Sequence, residues 1–181
     1  MNKAVTITAA FLVIVIIVLS IRSGNSELDE KLLAASRAGN QQETEKLLNG
    51  GASLNARDSL GQTALHAAAY NNMVDVADTL IKHGANIEAE DNRGATALHW
   101  AAVRGNVEVM SVLIKNGANL EARDDFDMTP LYWAASQGMV ATVVDLLAAG
   151  ADINARDTNG NSALKMAENR KYQQLIKILK K

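Results

Sequence analysis

The sequence predicts an all-α solenoid: helix-turn-helix units joined by β-hairpin-like loops and preceded by an N-terminal hydrophobic helix. Three observations indicate this fold: a 33-residue internal period, helical spacing of apolar residues within each period, and an uncharged apolar stretch near the amino terminus. Composition agrees, because 48% of the 181 residues are hydrophobic, 21% are charged and one is proline. These values exclude a disordered or fibrous chain.

Charge and cysteine content exclude several classes of function. The net charge is −2 and the lysines and arginines are scattered, so the chain lacks the basic footprint of a nucleic-acid-binding protein. It contains no cysteine, which excludes disulfides, thiolate metal sites and cysteine catalysis. Because the basic residues are scattered, we expect no nucleic-acid partner.

The first element is the stretch from Ala4 to Ile21, which holds 18 residues without a charged side chain. As a helix it would be about 27 Å long, close to the roughly 30 Å hydrocarbon core of a bilayer. Its length and the poor cleavage pattern after it favour an uncleaved signal anchor over a cleaved signal peptide, with a buried core helix as the third alternative. We therefore expect residues 1–23 to be a signal anchor or signal peptide.

The charges around this stretch predict where the rest of the chain lies. Lys3 precedes it, while Glu27, Asp29 and Glu30 follow it, so the positive-inside rule favours a cytoplasmic amino terminus. Arg22 after the stretch weakens that preference. A signal peptide would export the body as well, so we expect residues 24–181 to be extracytoplasmic, either anchored or secreted.

The body repeats every 33 residues without slippage. The recurring positions are the Gly-Ala pairs at 51–52, 84–85, 117–118 and 150–151, the aspartates Asp58, Asp91, Asp124 and Asp157, and the leucines Leu32, Leu65, Leu98, Leu131 and Leu164. Three units begin with Asp-x-x-Gly, at Asp58, Asp91 and Asp157, and this motif is typical of a type I turn. Thr or Ser then provides an N-cap for a short alanine-rich helix, and a second amphipathic helix ends at the next Gly-Ala.

The start of each first helix carries a signature. The tetrapeptides are Thr63-Ala64-Leu65-His66, Thr96-Ala97-Leu98-His99, Thr129-Pro130-Leu131-Tyr132 and the degenerate Ser162-Ala163-Leu164-Lys165. They resemble the T-P-L-H signature of ankyrin repeats, and the chain resembles an ankyrin repeat protein over about residues 27–181. One departure is Asp127, which stands where the turn glycine belongs, so we expect the third loop to be distorted or adapted to a partner.

The resemblance divides the body, residues 24–181, into five units. These are an N-terminal capping unit at 27–57, repeats at 58–90, 91–123 and 124–156, and a C-terminal capping unit at 157–181. Polar side chains suit the outer faces of such end units. The C-terminal unit is also basic, through Lys165, Arg170, Lys171, Lys177, Lys180 and Lys181. A solvated capping helix is favoured there over contact with anionic lipid or nucleic acid.

We expect no catalytic residue, no cofactor and no metal. The resemblance implies a structural role for His66 and His99, and His83 lies at a predicted helix end. The acidic residues Glu121, Asp124, Asp125 and Asp127 form a cluster without the spacing of a calcium loop. Trp100 and Trp133 are expected to pack between helices rather than to face a ligand.

Binding remains as the expected function. The resemblance implies that loop tips and first helices form one concave surface on which a partner docks. Large apolar side chains and arginines are typical of interface anchors, and Phe126 and Met128 are expected to project to the same side of an extended arm. The predicted partner-binding residues are Leu60, Tyr70, Arg93, Arg104, Phe126, Met128 and Gln137.

The sequence therefore predicts a non-catalytic protein–protein interaction module in the cell envelope, present as a monomer. Its expected partner is an envelope or secreted protein, and residues 4–21 contact the membrane if they are not removed. A sharper hypothesis makes it an inhibitor or protective partner of an envelope enzyme such as a cell-wall hydrolase. The alternatives are a membrane-tethered structural scaffold and a cytoplasm-facing adaptor.

Overall fold

A computed structural model of the chain describes residues 26–180, and this part is all helical. Its ten helices are α1 (26–38), α2 (Gln41–Asn49), α3 (Ala64–Tyr70), α4 (Val74–Lys82), α5 (Ala97–Arg104), α6 (Val107–Lys115), α7 (Pro130–Ser136), α8 (Val140–Ala148), α9 (Ala163–Arg170) and α10 (Gln173–Leu179). The predicted signal segment at residues 1–23 lies outside the described residues. Among the helices of residues 26–180, none has the length and hydropathy needed to cross a membrane.

The helices form two rows. The first helix of each unit packs on the first helix of the next, through α3, α5, α7 and α9. The second helices α2, α4, α6, α8 and α10 form the other row in the same way. Buried alanines such as Ala68, Ala101 and Ala134 allow the first row to pack closely. The predicted solenoid of helix-turn-helix units is therefore confirmed for the described residues.

Helix starts follow the predicted caps. The hydroxyl oxygens of Thr129 and Ser162 accept hydrogen bonds from the backbone N–H groups of Tyr132 and Lys165, each at 3.3 Å. Pro130 occupies the first turn of α7, where a missing N–H has no cost. These contacts fix where α7 and α9 begin.

Helix α5 ends at Gly105, which has a φ of 72° in the left-handed region. A Cβ atom there would lie 2.9 Å from the sulfur of Met139, so the position needs glycine for both conformation and space. The chain can then reverse into α6 while the next unit packs against it.

The third loop keeps the geometry of the others. The backbone N–H of Asp127 donates to the carbonyl oxygen of Asp124 at 2.9 Å, as the N–H of Gly61 does to Asp58. Asp127 adopts a φ of 57°, the left-handed conformation that glycine provides elsewhere. The expected distortion of this loop is therefore wrong, because aspartate tolerates the required conformation.

The core lies between the two rows of helices. The leucines of the repeat columns fill it: Leu32, Leu65, Leu98, Leu131, Leu47, Leu80, Leu113, Leu146 and Leu179 are at most 4% exposed. Leu164 is half-buried, in contrast to its counterparts. The core therefore runs continuously through the stack and thins in the last unit.

Candidate protein-binding surface

The turns that begin at Asp58, Asp91, Asp124 and Asp157, which we call the loop tips, precede the first helices of the units. In each tip the aspartate side chain accepts hydrogen bonds from the backbone. One carboxylate oxygen of Asp58 accepts the backbone N–H groups of Leu60 at 2.9 Å and Gln62 at 3.0 Å. The same oxygen of Asp124 accepts those of Phe126 and Met128, each at 2.9 Å. Each tip is therefore folded around its own carboxylate.

The second carboxylate oxygen fastens each tip to an inner helix. Asp91 accepts the indole N–H of Trp100 on α5 at 2.9 Å, and Asp124 accepts that of Trp133 on α7 at 2.8 Å. Asp58 instead accepts Nη2 of Arg37 at 3.2 Å. Hydrogen bonds to an ionised acceptor are stronger than neutral ones, so the tips are held firmly.

Successive tips are also joined to one another. The N–H of Asn92 donates to the carbonyl of Leu60 at 3.0 Å, and the N–H of Asp125 donates to that of Arg93 at 2.9 Å. The N–H of Thr158 donates to the carbonyl of Phe126 at 2.9 Å. Leu60, Arg93 and Phe126 are equivalent residues of three successive units, so their side chains recur along one row.

Two buried histidines connect the units. Nδ1 of His66 accepts the N–H of Thr63 at 3.1 Å, and its Nε2 lies 3.0 Å from the carbonyl oxygen of Ala95 in the next unit. His99 repeats both contacts with Thr96 and Met128. Because Nδ1 accepts, Nε2 carries the proton and donates. Burial lowers the pKa of both histidines, which favours this neutral form.

Aromatic rings line the inner helices beside the tips. The centroids of Tyr70 and Trp100 are 5.5 Å apart, and those of Trp100 and Trp133 are 5.3 Å apart, both in edge-to-face geometry. The guanidinium carbon of Arg104 lies 4.8 Å from the centroid of the Tyr70 ring. These contacts form one continuous aromatic row across three units.

Two clefts open along this row. The first, which we name the Leu60 cleft, has a volume of about 320 Å³ and is lined by Arg37, Asp58, Leu60, Gln62, Ala67, Tyr70, Asn71 and Trp100. The second, the Phe126 cleft, has a volume of about 270 Å³ and is lined by Arg93, Val103, Asp124, Phe126, Met128, Trp133, Ser136 and Gln137.

The structure brings the predicted partner-binding residues together at these clefts. Six of them line the clefts: Leu60, Tyr70, Arg93, Phe126, Met128 and Gln137. The seventh, Arg104, covers the ring of Tyr70. Leu60 and Phe126 are more than half exposed, although both are large and apolar.

The expected reason for pairing Phe126 with Met128 is wrong. Phe126 lies in the turn rather than in an extended arm, and Asp127 between them has a positive φ. The two side chains meet at the Phe126 cleft because the turn folds around Asp124.

Sequence reasoning missed Trp100 and Trp133 as members of this surface. Both are half-buried and each lines a cleft, and each indole N–H donates a hydrogen bond to the aspartate of the same unit. The first repeat has Ala67 at the equivalent position. An aromatic side chain at a position that holds alanine in the first repeat was the available signal.

Two of the four residues in the predicted acidic cluster accept hydrogen bonds within the protein. Glu121 accepts the N–H of Asp152 at 2.8 Å, and Asp124 accepts the bonds already described. Within residues 26–180, no group of three histidine, cysteine, aspartate or glutamate residues is placed to hold a metal ion.

These features define a helical repeat protein whose joined loop tips and inner helices form one extended surface. A model of ankyrin repeats (3 copies) matches residues 31–124, and a model of ankyrin repeats (many copies) matches residues 131–169. The chain belongs to the ankyrin repeat family. No curated protein matches it. Its repeats indicate a protein–protein interaction module, and proteins of this family are typically non-catalytic.

Proposed function

We propose that the chain is a non-catalytic protein-binding module of the cell envelope, and that its concave surface holds the partner at the Leu60 and Phe126 clefts. The distribution of exposed apolar side chains carries this proposal. Within the described residues, the large exposed apolar side chains are Leu60, Tyr70, Phe126 and Val144. Three of these four lie at the clefts, and such concentration is typical of interaction sites.

The rigidity of the surface supports the same proposal. Each tip is held by its aspartate, by an inner-helix or neighbouring side chain, and by a backbone bond to the next tip. Binding therefore orders few groups, which reduces the entropic cost of association. Trp100 and Trp133 provide stiff apolar area with few rotatable bonds.

The envelope location rests on the uncharged stretch from Ala4 to Ile21. Either a signal anchor with its amino terminus in the cytoplasm or a cleaved signal would export the repeats, and the partner would then be an envelope or secreted protein. In the sharper form of the proposal, the partner is an envelope enzyme such as a cell-wall hydrolase, which the module inhibits or protects. A concave surface could cover the active-site cleft of such an enzyme.

Location is tested by fusing alkaline phosphatase to the C-terminus, because that enzyme needs disulfides that form outside the cytoplasm. We expect activity in intact cells. An expressed but inactive fusion would place the repeats in the cytoplasm and support the adaptor alternative. Fractionation of the same cells shows whether residues 1–23 stay attached.

The docking surface is tested by photo-crosslinking in living cells, with benzoylphenylalanine in place of Phe126. The matched control carries the same group in place of Val144, an exposed apolar residue of α8 that lines neither cleft. We expect a discrete crosslinked protein from position 126 and none from position 144. Equal products from both positions would contradict the proposed surface.

The role of the contact is tested on the crosslinked protein once it is purified. If the partner is an enzyme, its activity is measured with and without an excess of the module. Reduced activity, or slower thermal inactivation, supports inhibition or protection respectively. A partner without activity favours the scaffold alternative, in which function is lost when residues 1–23 are replaced by a cleavable signal.

A further inference from the structure

We propose that the partner segment entering the two clefts is acidic as well as apolar. It places one apolar side chain in each cleft and presents carboxylates to Arg93 and Arg104. This inference rests on the proposed function, since it specifies the chemistry of the same surface. It follows from which charged groups at the clefts are already engaged and which are not.

The carboxylates that line the clefts are engaged within the protein. Asp58 accepts two backbone N–H groups and a guanidinium N–H of Arg37. Asp124 accepts two backbone N–H groups and the indole N–H of Trp133. With three hydrogen bonds each, these carboxylates have little remaining capacity for a cationic partner.

The exposed guanidinium groups of Arg93 and Arg104, next to the clefts, form no ion pair within the described residues. By contrast, the arginines at the loop bases are used internally: Arg57, Arg123 and Arg156 donate to the carbonyl oxygens of Gly61, Asp127 and Gly160 in their own tips. The unused charge at the clefts is therefore positive.

The positions of these two arginines suit a single bound segment. Arg93 lines the Phe126 cleft, and Arg104 lies over the Tyr70 ring at the Leu60 cleft. Trp100 and Trp133 are in contact between the clefts, so both guanidinium groups border one apolar strip. A carboxylate bound beside this strip would be shielded from water, which strengthens a bidentate pair with arginine.

Other segment chemistries fit less well. A basic segment would oppose both arginines, and a purely apolar segment would desolvate two guanidinium groups without giving them a partner. Arg104 lines neither cleft itself, but its guanidinium group lies against the ring of Tyr70, which lines the Leu60 cleft. Asp125 and Asp127 are exposed in the third tip and line neither cleft. The surface therefore selects an apolar segment that also carries negative charge.

The test is selection from a display library of random 12-residue peptides against the full chain, solubilised in a non-ionic detergent and immobilised through its C-terminus. We expect enriched peptides to combine apolar residues with Asp or Glu. A selected peptide should bind the Arg93→Glu, Arg104→Glu double variant at least about tenfold more weakly, the size expected for a charge-assisted contact. Neutral Arg93→Gln and Arg104→Gln variants should give intermediate affinities.

The matched control is Arg170→Glu, which reverses an exposed arginine at the position of α9 equivalent to Arg104 and away from both clefts. We expect it to bind the peptides as the wild type does, and circular dichroism to show that all variants keep their helix content. Enriched apolar peptides without acidic residues, or equal binding by the double variant, would overturn this inference alone. No enrichment, or peptides that bind Leu60→Ala and Phe126→Ala variants as tightly as the wild type, would overturn the proposed function with it.

Discussion

The connections between units differ along the stack, although they start from one repeated position. We call such a connection a joint, meaning the hydrogen bond from the fourth signature side chain to the next unit. His66 and His99 form joints from a buried imidazole to a backbone carbonyl oxygen. Tyr132 forms its joint from a phenol to the carboxylate of Asp157 at 2.9 Å. In the last unit the equivalent residue is the exposed Lys165.

This difference shows what the position must provide. A side chain between two units has to donate a hydrogen bond across the interface, and both imidazole Nε2–H and phenol O–H do so. A histidine also satisfies the backbone N–H of its own N-cap, whereas at Tyr132 the Thr129 hydroxyl supports the helix start. The histidine joints therefore hold two backbone groups, and the tyrosine joint holds one carboxylate that has other partners.

The largest effect on stability is expected from substitutions in the hydrophobic core. Leu98→Ala empties a fully buried position in a central unit and should reduce the free energy of unfolding by about 2–5 kcal/mol. The matched variant Leu164→Ala changes the same column in the half-buried last unit and should cost less than about 2 kcal/mol. Urea denaturation followed by circular dichroism measures both, and equal losses would contradict the described thinning of the core.

The joints themselves should differ in strength. His99→Ala leaves the Thr96 N–H and the Met128 carbonyl without their partner and should cost about 1–3 kcal/mol. Tyr132→Phe removes one donor from Asp157, which keeps its bonds from Asn159 and Asn161, so it should cost about 1 kcal/mol. The same denaturation experiment compares them. A larger loss for Tyr132→Phe would reverse the proposed order of the joints.

The sequence predicted the parts of this structure that depend on local rules. Leucine columns, threonine caps and Asp-x-x-Gly turns each follow from the period and from backbone chemistry, so the fold and the helix starts could be predicted. The cleft residues Leu60, Tyr70 and Phe126 could also be predicted, since each is a large apolar residue at a position that the repeat leaves free.

The remaining features depend on contacts between distant residues. Trp100 and Trp133 belong to the surface because an aspartate nine residues earlier binds each indole N–H. The Tyr132 joint depends on Asp157 in the next unit. Arg93 and Arg104 can be distinguished from Arg57, Arg123 and Arg156 only once the hydrogen bonds of the latter three to backbone carbonyl oxygens are known. Residue spacing alone does not predict these pairings.

The two kinds of joint should respond to opposite extremes of pH. Burial lowers the pKa of His66 and His99, so the unfolded chain binds protons that the folded chain does not. Their stabilisation is complete above the unfolded histidine pKa of about 6.5 and declines as the pH falls below it, by at most about 1.4 kcal/mol per pH unit for each histidine. A His66→Gln, His99→Gln variant should show a shallower loss of stability between about pH 6.5 and 5.

The tyrosine joint should fail in alkali instead. Burial, together with the hydrogen bond to Asp157, raises the pKa of Tyr132 to about 12. The unfolded phenol ionises near pH 10, so the joint's contribution is present below that value and declines as the pH rises toward 12. Tyr132→Phe should therefore reduce the dependence of stability on pH above about 10 without changing it near pH 6. An unchanged alkaline profile would show that this phenol ionises equally in both states.

The smallest effect on stability is expected at the surface between the joints. Phe126 is 55% exposed, and the turn that carries it is held by the backbone bonds to Asp124 rather than by the ring. Phe126→Ala should therefore change the free energy of unfolding by no more than about 0.5 kcal/mol. Asp124→Ala is the comparison, because it removes the acceptor for two backbone N–H groups and for the Trp133 indole and should destabilise the tip. If Phe126→Ala proved as costly as Asp124→Ala, the ring would belong to the core of the tip and not to a surface kept for a partner.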